Sequence, residues 1–278
     1  KEIIYLLDEA TDEILKFSLN DYKFLSSIKA VQNGYLTYCM QEIGGKIYLN
    51  RSSVLEKEKY ELREIDERNG KQVGKFLKSD DYNHGWNFPL SLEHSNFYSK
   101  NSQSPKYIGL FSNLIMNVTA DGVSAAYIVD SRKFVNKDEV LMMQRIAEGK
   151  LEKIDFSGIY SQKRIHQISR FIESPSKVFF QYLEGDERNY LVYDKASGKT
   201  KTSSLFMNDY VSDKNMIPMD FCYSDERGVV ALLKPCFMPH FIKYIIDGGK
   251  MRTHLDNYSR LIKLNKDSNP VLFFHEYK

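Results

Sequence analysis

The chain repeats one short pattern, in which an apolar and aromatic run ends in an aspartate and a polar turn follows. In the clearest copies, Asp66 leads into Asn69-Gly70-Lys71 and Asp194 leads into Ser197-Gly198-Lys199. The aspartates that end the five runs are 53 to 64 residues apart: Asp8, Asp66, Asp130, Asp194 and Asp247. Recurrence at the length of one supersecondary unit is typical of a repeat protein, and runs of this composition between turns predict that the unit consists of strands.

A repeat made of several short strands predicts an all-β fold, a β-propeller of four-stranded antiparallel blades. The clearest unit covers residues 35–78, and Gly44-Gly45 and Asn69-Gly70 are its predicted hairpin turns. Its strands are expected near 35–41, 45–50, 59–66 and 71–77. The 19 Tyr and 17 Phe among 278 residues favour strands as well. We expect residues 1–278 to form a single propeller domain.

One segment breaks the strand pattern. Asn136 and Glu139 have the spacing of a capping box, and Val140, Met143, Ile146 and Ala147 follow at helical intervals. These signals predict one short helix near 137–149. Its apolar stripe is expected to pack on the propeller, with binding of a partner as the alternative.

Composition and motifs exclude several classes of function. The net charge of +2 is too balanced to indicate a nucleic-acid or anionic-membrane partner. No apolar stretch approaches the roughly 20 residues that cross a bilayer, and no phosphate loop, dinucleotide fingerprint or Gly-x-Ser-x-Gly elbow occurs. Cys39, Cys222 and Cys236 fit no zinc pattern, so we expect buried core thiols, with a Cys222–Cys236 disulfide as the alternative.

The repeated aspartates have two interpretations. Each can cap its own turn by accepting hydrogen bonds from backbone N–H groups, which is the interpretation that the Gly-Lys context favours. Alternatively, they form a ring of carboxylates around the propeller channel that holds Ca²⁺, a cation that prefers oxygen ligands. Accordingly, we predict no cofactor, and Ca²⁺ is the expected ion if carboxylates line the channel.

Residues 79–89 have the most unusual local composition in the chain. Carboxylates and aromatic rings together suit carbohydrate recognition, because sugar faces stack on rings while polar groups bind the hydroxyls. The alternative is a loop between blades, with Trp86 and Phe88 packed in the core. The candidate ligand-binding residues are Asp80, Asp81, Tyr82, His84 and Trp86, which is the only tryptophan.

Three passages resemble a known group of proteins. They are Phe111–Gly122 with the run that ends at Asp130, Tyr190–Lys199 followed by Met207-Asn208-Asp209, and Asp267–Phe274. In these passages the chain resembles the six-bladed, NHL- or TolB-like β-propellers of bacterial cell envelopes, which are common in Bacteroidetes. The resemblance implies six blades in the parent protein and a closing strand at 267–274. Because the pattern shows four full units and one partial unit, N-terminal blades are expected to precede residue 1; five blades is the alternative.

The resemblance also implies a function. It implies an exported protein, in the periplasm or on the outer-membrane surface, of a group that includes lipid-anchored members. Its role would be that of a non-enzymatic binding module for a glycan or an envelope partner protein. One alternative is an NHL-like metal-dependent hydrolase or lactonase with an ion in the channel, and another is a structural scaffold. The resemblance supplies no catalytic residues.

Overall fold

A computed structural model of the chain describes residues 2–8, 10–11, 13–29, 36–52, 59–86, 88, 97–98, 104–148, 150–204, 220–224, 228–246, 258–261, 263–265 and 267–276. The strands are β1 (Ile3–Asp8), β2 (Glu13–Ser18), β3 (Phe24–Lys29), β4 (Leu36–Ile43), β5 (Lys46–Ser52), β6 (Tyr60–Asp66), β7 (Gln72–Lys78), β8 (Phe97–Tyr98), β9 (Lys106–Tyr107), β10 (Leu114–Thr119), β11 (Gly122–Ile128), β12 (Ile165–Glu173), β13 (Lys177–Glu184), β14 (Glu187–Asp194), β15 (Lys199–Ser203), β16 (Asp220–Ser224), β17 (Gly228–Leu233) and β18 (Val271–Glu276). The α-helices are α1 (Ser79–Tyr82), α2 (Lys137–Ala147), α3 (Ser157–Ser161), α4 (Met238–His240) and α5 (Tyr258–Leu261). Two 3₁₀-helices (Leu151–Lys153 and Pro235–Phe237) and a π-helix (Phe241–Ile246) accompany them.

In the described residues these strands form five sheets, each made of strands that are consecutive in the sequence. The first sheet is β1–β3, the second β4–β7, the third β8–β11, the fourth β12–β15 and the fifth β16–β18. Consecutive antiparallel meanders of this kind are the blades of a β-propeller, so the predicted fold class is confirmed. The four strands expected within residues 35–78 are β4 to β7. The six-bladed count stays a prediction.

The chain divides into two compact units. The first comprises Lys1–Phe171 and Tyr182–Arg188, and the second comprises Ile172–Gln181 and Asn189–Lys278. The first three sheets and helices α1 to α3 lie in the first unit, and the fifth sheet lies in the second. The predicted single domain over 1–278 is not tested by this division and stays a prediction.

The first sheet packs on the second in the first unit. Ile14 and Ile28 form a buried cluster with three residues of the second sheet: Ile47, Leu49 and Ile65. Lys16, also on β2, donates to the backbone oxygen of Glu67 at 2.7 Å and forms an ion pair with its carboxylate at 3.2 Å. Alternation of side chains along β5 therefore directs Ile47 and Leu49 toward the first sheet.

The other face of the second sheet packs on the third. Tyr48 and Leu62 are buried together with Tyr107, Met116 and Val118. The Tyr48 hydroxyl donates to the carbonyl oxygen of Thr119 at 2.9 Å. Both faces of the second sheet are thus covered by neighbouring sheets, as expected for a blade inside a propeller.

Helix α2 follows the third sheet and begins where the sequence predicts. Asn136 Oδ1 accepts from the backbone N–H of Glu139 at 3.0 Å, and Glu139 Oε2 accepts from the backbone N–H of Asn136 at 2.7 Å. This is the predicted capping box. The helix ends at Ala147, since Glu148 is left-handed with φ 51°. Val140, Met143 and Ala147 face a core cluster that includes Trp86 and Phe111. The prediction is wrong for Ile146, which is 55% exposed because its side chain projects from another side of the helix.

The repeated aspartates cap turns at three of the five positions. The carboxylate of Asp8 accepts from the N–H of Ala10 at 3.0 Å, that of Asp66 from Arg68 at 2.7 Å, and that of Asp194 from Ser197 at 2.8 Å. The pKa of each carboxyl group is lowered, by side-chain hydrogen bonds from Thr11 to Asp8 and from Arg68 to Asp66 together with these backbone bonds, and at Asp194 first by the backbone bond from Ser197. The turn-capping interpretation is confirmed there, while Asp247 lies outside the described residues.

The second unit has its own core. Ala231, Leu233 and Phe273 of the fifth sheet pack with Met238 and Phe241. The strand expected to close the ring, β18, pairs antiparallel with β17 and so joins the sheet of its sequence neighbours.

The predicted alternative of a Cys222–Cys236 disulfide is wrong in this structure. Cys236 carries a free thiol, and the buried position expected for it is also wrong, because it lies exposed in the 3₁₀-helix after β17. Cys39 is buried and also free, as expected of a core cysteine. Among the helices of the described ranges, none has both the length and the apolar character to cross a bilayer.

Candidate functional site

The loop after β7 carries all five candidate residues, and the structure divides them between surface and interior. Asp80 and Asp81 are exposed in the first turn of α1, where negative charge suits the unsatisfied N–H groups of a helix start. Tyr82 and Trp86 are buried. His84 lies between the two groups, half-buried. The structure thus brings two carboxylates to solvent and directs two of the candidate rings into the core.

Trp86 is only 2% exposed. Its ring meets Phe111 edge-on with centroids 4.8 Å apart, and Phe88 at 5.2 Å. The hydroxyl of Tyr82 accepts from the backbone N–H of Gly109 at 2.9 Å. These rings therefore act as core residues in this structure, as the alternative interpretation of the loop expects, and neither offers a free face for a sugar to stack on.

His84 has a left-handed backbone, with φ 64°. Burial and the positive charge of Lys137 both lower the pKa of His84. Because the ordinary histidine value is already near 6.5, the imidazole is neutral at pH 7. A ring N–H already donates to the backbone of Val135, so the neutral ring offers a ligand an acceptor nitrogen rather than a positive charge.

Helix α2 lies beside this loop. Gln144 Nε2 donates to the carbonyl oxygen of Gly85 at 3.1 Å. A Cβ atom on Gly85 would lie 3.1 Å from Asp80 Oδ1 and 3.8 Å from Leu141 Cδ2. The carboxylate of Asp80 therefore lies on the side of α2 that carries Leu141 and Gln144.

Two apolar side chains of α2 are exposed to solvent beside the charged residues Asp138 and Arg145. Met142 is 62% exposed and Ile146 is 55% exposed. Residues four apart lie next to each other on a helix, so the two side chains form one apolar stripe. We call the set Asp80, Asp81, His84, Met142 and Ile146 the loop–helix surface.

A buried polar network lies between the second and third sheets, and the sequence pattern gave no indication of it. The enclosed carboxyl group of Glu61 accepts from Tyr107 Oη at 2.9 Å and from Asn83 Nδ2 at 2.9 Å. Asn50 Nδ2 donates to Tyr107 Oη and lies 3.4 Å from Glu61 Oε2. Burial raises the pKa of Glu61, although its three hydrogen-bond partners act in the opposite direction. The network therefore holds a proton on Glu61 to higher pH than an exposed carboxyl group would.

The family model described as Domain of unknown function (DUF4934) matches residues 1–276. The chain belongs to the DUF4934 family. No curated protein matches it.

Solved structures show the same fold. The DUF4934 chain is similar to the crystal structure of a candidate exported protein from Bacteroides fragilis NCTC 9343, with a TM-score of 0.75 and 15% identity, over 100% of this chain and 75% of that chain. Two further solved structures are much less similar to this chain. One is a streptogramin B lyase, with TM-score 0.31 and 12% identity over 75% of this chain and 67% of that one. The other is the β-propeller domain of Myceliophteria thermophila Cps50 (Swd1), with TM-score 0.36 and 8% identity over 84% of this chain and 64% of that one.

The described part of the DUF4934 chain contains no cluster of side chains that could bind a metal ion. No group of three or more His, Cys, Asp or Glu side chains is close enough there to hold an ion. Three of the repeated aspartates instead accept hydrogen bonds from their own turns. The channel Ca²⁺ stays an untested prediction.

His166 is a further buried polar group that the sequence did not single out. Its Nδ1 lies 3.3 Å from the carbonyl oxygen of Arg164, and its Nε2 has no hydrogen-bond partner among the described residues. Burial lowers the pKa of His166, so the ring is neutral. Phe156 and Tyr160 lie against the ring, with centroids at 6.2 and 5.7 Å. These contacts make it a core histidine of the DUF4934 fold.

Proposed function

We propose that this DUF4934 chain is a non-enzymatic binding module of the bacterial cell envelope, and that it binds a partner protein through the loop–helix surface. The observation that carries the proposal is the apolar stripe of Met142 and Ile146 on the solvent side of α2. A helix at a protein surface ordinarily turns its apolar residues to the core and its polar residues to water. Helix α2 already has a core face, so this second apolar stripe needs another explanation.

The surroundings of the stripe indicate what kind of partner fits. The Asp80 carboxylate lies near Leu141, the residue that precedes Met142 in α2. Asp81 adds a second exposed carboxylate in the same short helix. A protein surface with an apolar anchor and a Lys or Arg beside it is complementary to this arrangement, because apolar anchors supply most binding energy and rim charges supply orientation.

A glycan ligand is less well supported. Recognition of a sugar at this loop was expected to use Tyr82 and Trp86 as stacking surfaces, and both rings are buried. The groups left at the surface are two carboxylates and a neutral imidazole. They can bind hydroxyl groups, but they supply no aromatic platform.

The placement in the envelope is supported by two likenesses. The Bacteroides fragilis protein of the same fold is named as a candidate for export. The sequence resemblance to NHL- or TolB-like envelope propellers points the same way. Cell fractionation and protease treatment of intact cells would distinguish the periplasm from the outer-membrane surface, and metabolic labelling with a fatty acid would detect a lipid anchor.

The proposal is tested by photo-crosslinking in the native cell. Benzoyl-phenylalanine placed at Met142 or Ile146 should capture one protein partner. The matched control is Val73 on β7, which is 59% exposed but lies away from α2. The same band from position 73, or no band from either helix position, would contradict the proposal. Binding of the purified chain to a glycan array, lost in Asp80→Asn with Asp81→Asn, would replace the partner protein by a sugar.

A further inference from the structure

The carboxyl group of Glu61 is held by neutral partners from several elements. Its Oε1 accepts from Asn83 Nδ2 at 2.9 Å, and its Oε2 accepts from Tyr107 Oη at 2.9 Å. Asn50 Nδ2 on β5 lies 3.4 Å from Oε2. The titratable groups that face Glu61 from other elements are the phenols of Tyr107 on β9 and Tyr82 on α1. In the described ranges Glu61 is part of no ion pair, so its charge has no direct counter-ion there.

Each of these hydrogen bonds presents a donor to Glu61. An ionised carboxylate only accepts hydrogen bonds, whereas a protonated carboxyl group carries a hydrogen that must itself be donated. The arrangement in this structure therefore suits the ionised form, because Asn83, Tyr107 and Asn50 all direct an N–H or O–H group at the carboxyl oxygens. When Glu61 takes up a proton, at least one partner has to present an acceptor instead.

Asn83 is the partner with an unused acceptor. The residue is fully buried, and its Oδ1 has no hydrogen-bond partner among the described residues. A buried acceptor without a partner is costly. Rotation of the side-chain amide by half a turn exchanges Oδ1 and Nδ2, which are nearly the same size. Protonated Glu61 can then donate to Asn83 Oδ1, while Nδ2 needs a new acceptor from the loop around it, so the loop has to adjust.

The backbone of Asn83 connects this amide to the loop after β7. Its N–H donates to the carbonyl oxygen of Ser79 at 3.0 Å, and its carbonyl oxygen accepts from the N–H of Trp86 at 3.2 Å. His84, the next residue, has a left-handed backbone with φ 64°. Such a conformation is strained in a residue other than glycine and persists only where the surroundings hold it. A change at Asn83 therefore acts on a segment that is already strained.

We propose that Glu61 and Asn83 form a proton-operated switch, in which rotation of the Asn83 amide changes the conformation of residues 83–86. At low pH, Glu61 carries a proton and donates to Asn83 Oδ1. At higher pH, Glu61 is ionised and accepts from Asn83 Nδ2, as in this structure. The segment includes His84, so the switch also alters the loop–helix surface. It operates in the chain by itself and does not depend on the partner binding proposed above.

Trp86 reports on the switch directly. It is the only tryptophan of the chain, and it lies at the end of the segment with its ring 4.8 Å from that of Phe111. The emission spectrum of the purified chain and its quenching by acrylamide would be measured between pH 4 and 8. The proposal predicts one transition, with a midpoint above the ordinary glutamate value of 4.5.

Three variants identify the groups responsible. Glu61→Gln carries its hydrogens at every pH, so its emission should be constant and equal to that of the wild type at pH 4. Asn83→Ala should lose the transition as well, because it has no amide to rotate. The matched control is His84→Asn, which removes the nearest imidazole and accepts a left-handed backbone; it should keep the transition. Circular dichroism would verify that each variant is folded.

The proposal is wrong if the wild type shows no transition, or if Glu61→Gln keeps it. A transition that persists in folded Asn83→Ala would also overturn the role of the amide. Loss of the transition in His84→Asn would assign it to the imidazole instead. Because Glu61→Gln preserves the shape of the side chain, it decides the question even if Asn83→Ala does not fold.

Discussion

Glu61 places its carboxyl group in the contact between the second and third sheets, where Tyr107 and Asn83 bind it. Removing a charge from water is costly unless an opposite charge compensates it. The hydrogen-bond partners Tyr107, Asn83 and Asn50 are neutral, so burial outweighs their hydrogen bonds and raises the pKa of Glu61. Glu61 therefore keeps its proton to higher pH in the folded protein than in the unfolded chain.

This proton predicts a pH dependence of stability. The pKa of Glu61 is higher in the folded protein than in the unfolded chain. The protonated carboxyl group therefore contributes fully to stability below the ordinary glutamate pKa of 4.5. The contribution is lost as pH rises through the folded-state pKa. Glu61→Gln should remove this part of the dependence, as measured by urea unfolding between pH 4 and 8. The exposed Glu152→Gln is the control, and parallel curves for wild type and Glu61→Gln would contradict the argument.

Trp86 gives a second prediction at the residue scale. Since its ring packs on Phe88 and Phe111, Trp86→Ala should lower the free energy of unfolding by about 3–5 kcal/mol, the range for large aromatic truncations in a core. Asp80→Asn should change it by less than about 0.5 kcal/mol, as is usual for a surface position. Chemical denaturation followed by circular dichroism measures both. If Trp86→Ala and Asp80→Asn both change the free energy of unfolding only slightly, Trp86 is not a core residue.

At the scale of elements, local chemistry decides helix α2. The reciprocal bonds of Asn136 and Glu139 satisfy two N–H groups at the helix start. Asn136→Ala should therefore destabilise the protein by about 1 kcal/mol, whereas Met142→Ala, in the exposed middle of the helix, should have little effect. Thermal or urea unfolding compares the two variants. A change of less than about 0.3 kcal/mol for Asn136→Ala would mean that the cap is not formed in solution.

Helix α2 shows which kinds of structure could be predicted from the sequence. The capping box and the Asn69-Gly70 turn depend on residues within four positions of each other, so both could be predicted. The Glu61 network joins β6 to β9 and to the loop after β7. Such contacts depend on which sheets become neighbours, and no local pattern encodes that. The sequence leaves Trp86 open to ligand binding as well as to the core, and only the fold places Phe111 beside it.

At the scale of the whole molecule, the packing of sheet on sheet leaves little room at the turns. Gly44 has φ 60°, and a Cβ there would come within 2.8 Å of Ala120 Cβ on the third sheet. Gly45 has φ 83° with nothing within 4 Å. Both substitutions to Ala strain the backbone, but only Gly44→Ala also pushes on the third sheet. In urea titrations, Gly44→Ala should lower the free energy of unfolding more than Gly45→Ala does. Equal losses in the two variants would contradict the close approach of Gly44 to Ala120.

The central claim concerns binding by the loop–helix surface, and a calorimetric titration tests it most directly. The partner captured at Met142 would be purified and titrated into wild type, Met142→Glu with Ile146→Glu, and Val73→Glu. The account predicts that the double variant stays folded and binds at least about tenfold more weakly, a loss of about 1.4 kcal/mol or more. Val73→Glu should bind like wild type. Unchanged affinity in the folded double variant would contradict the claim.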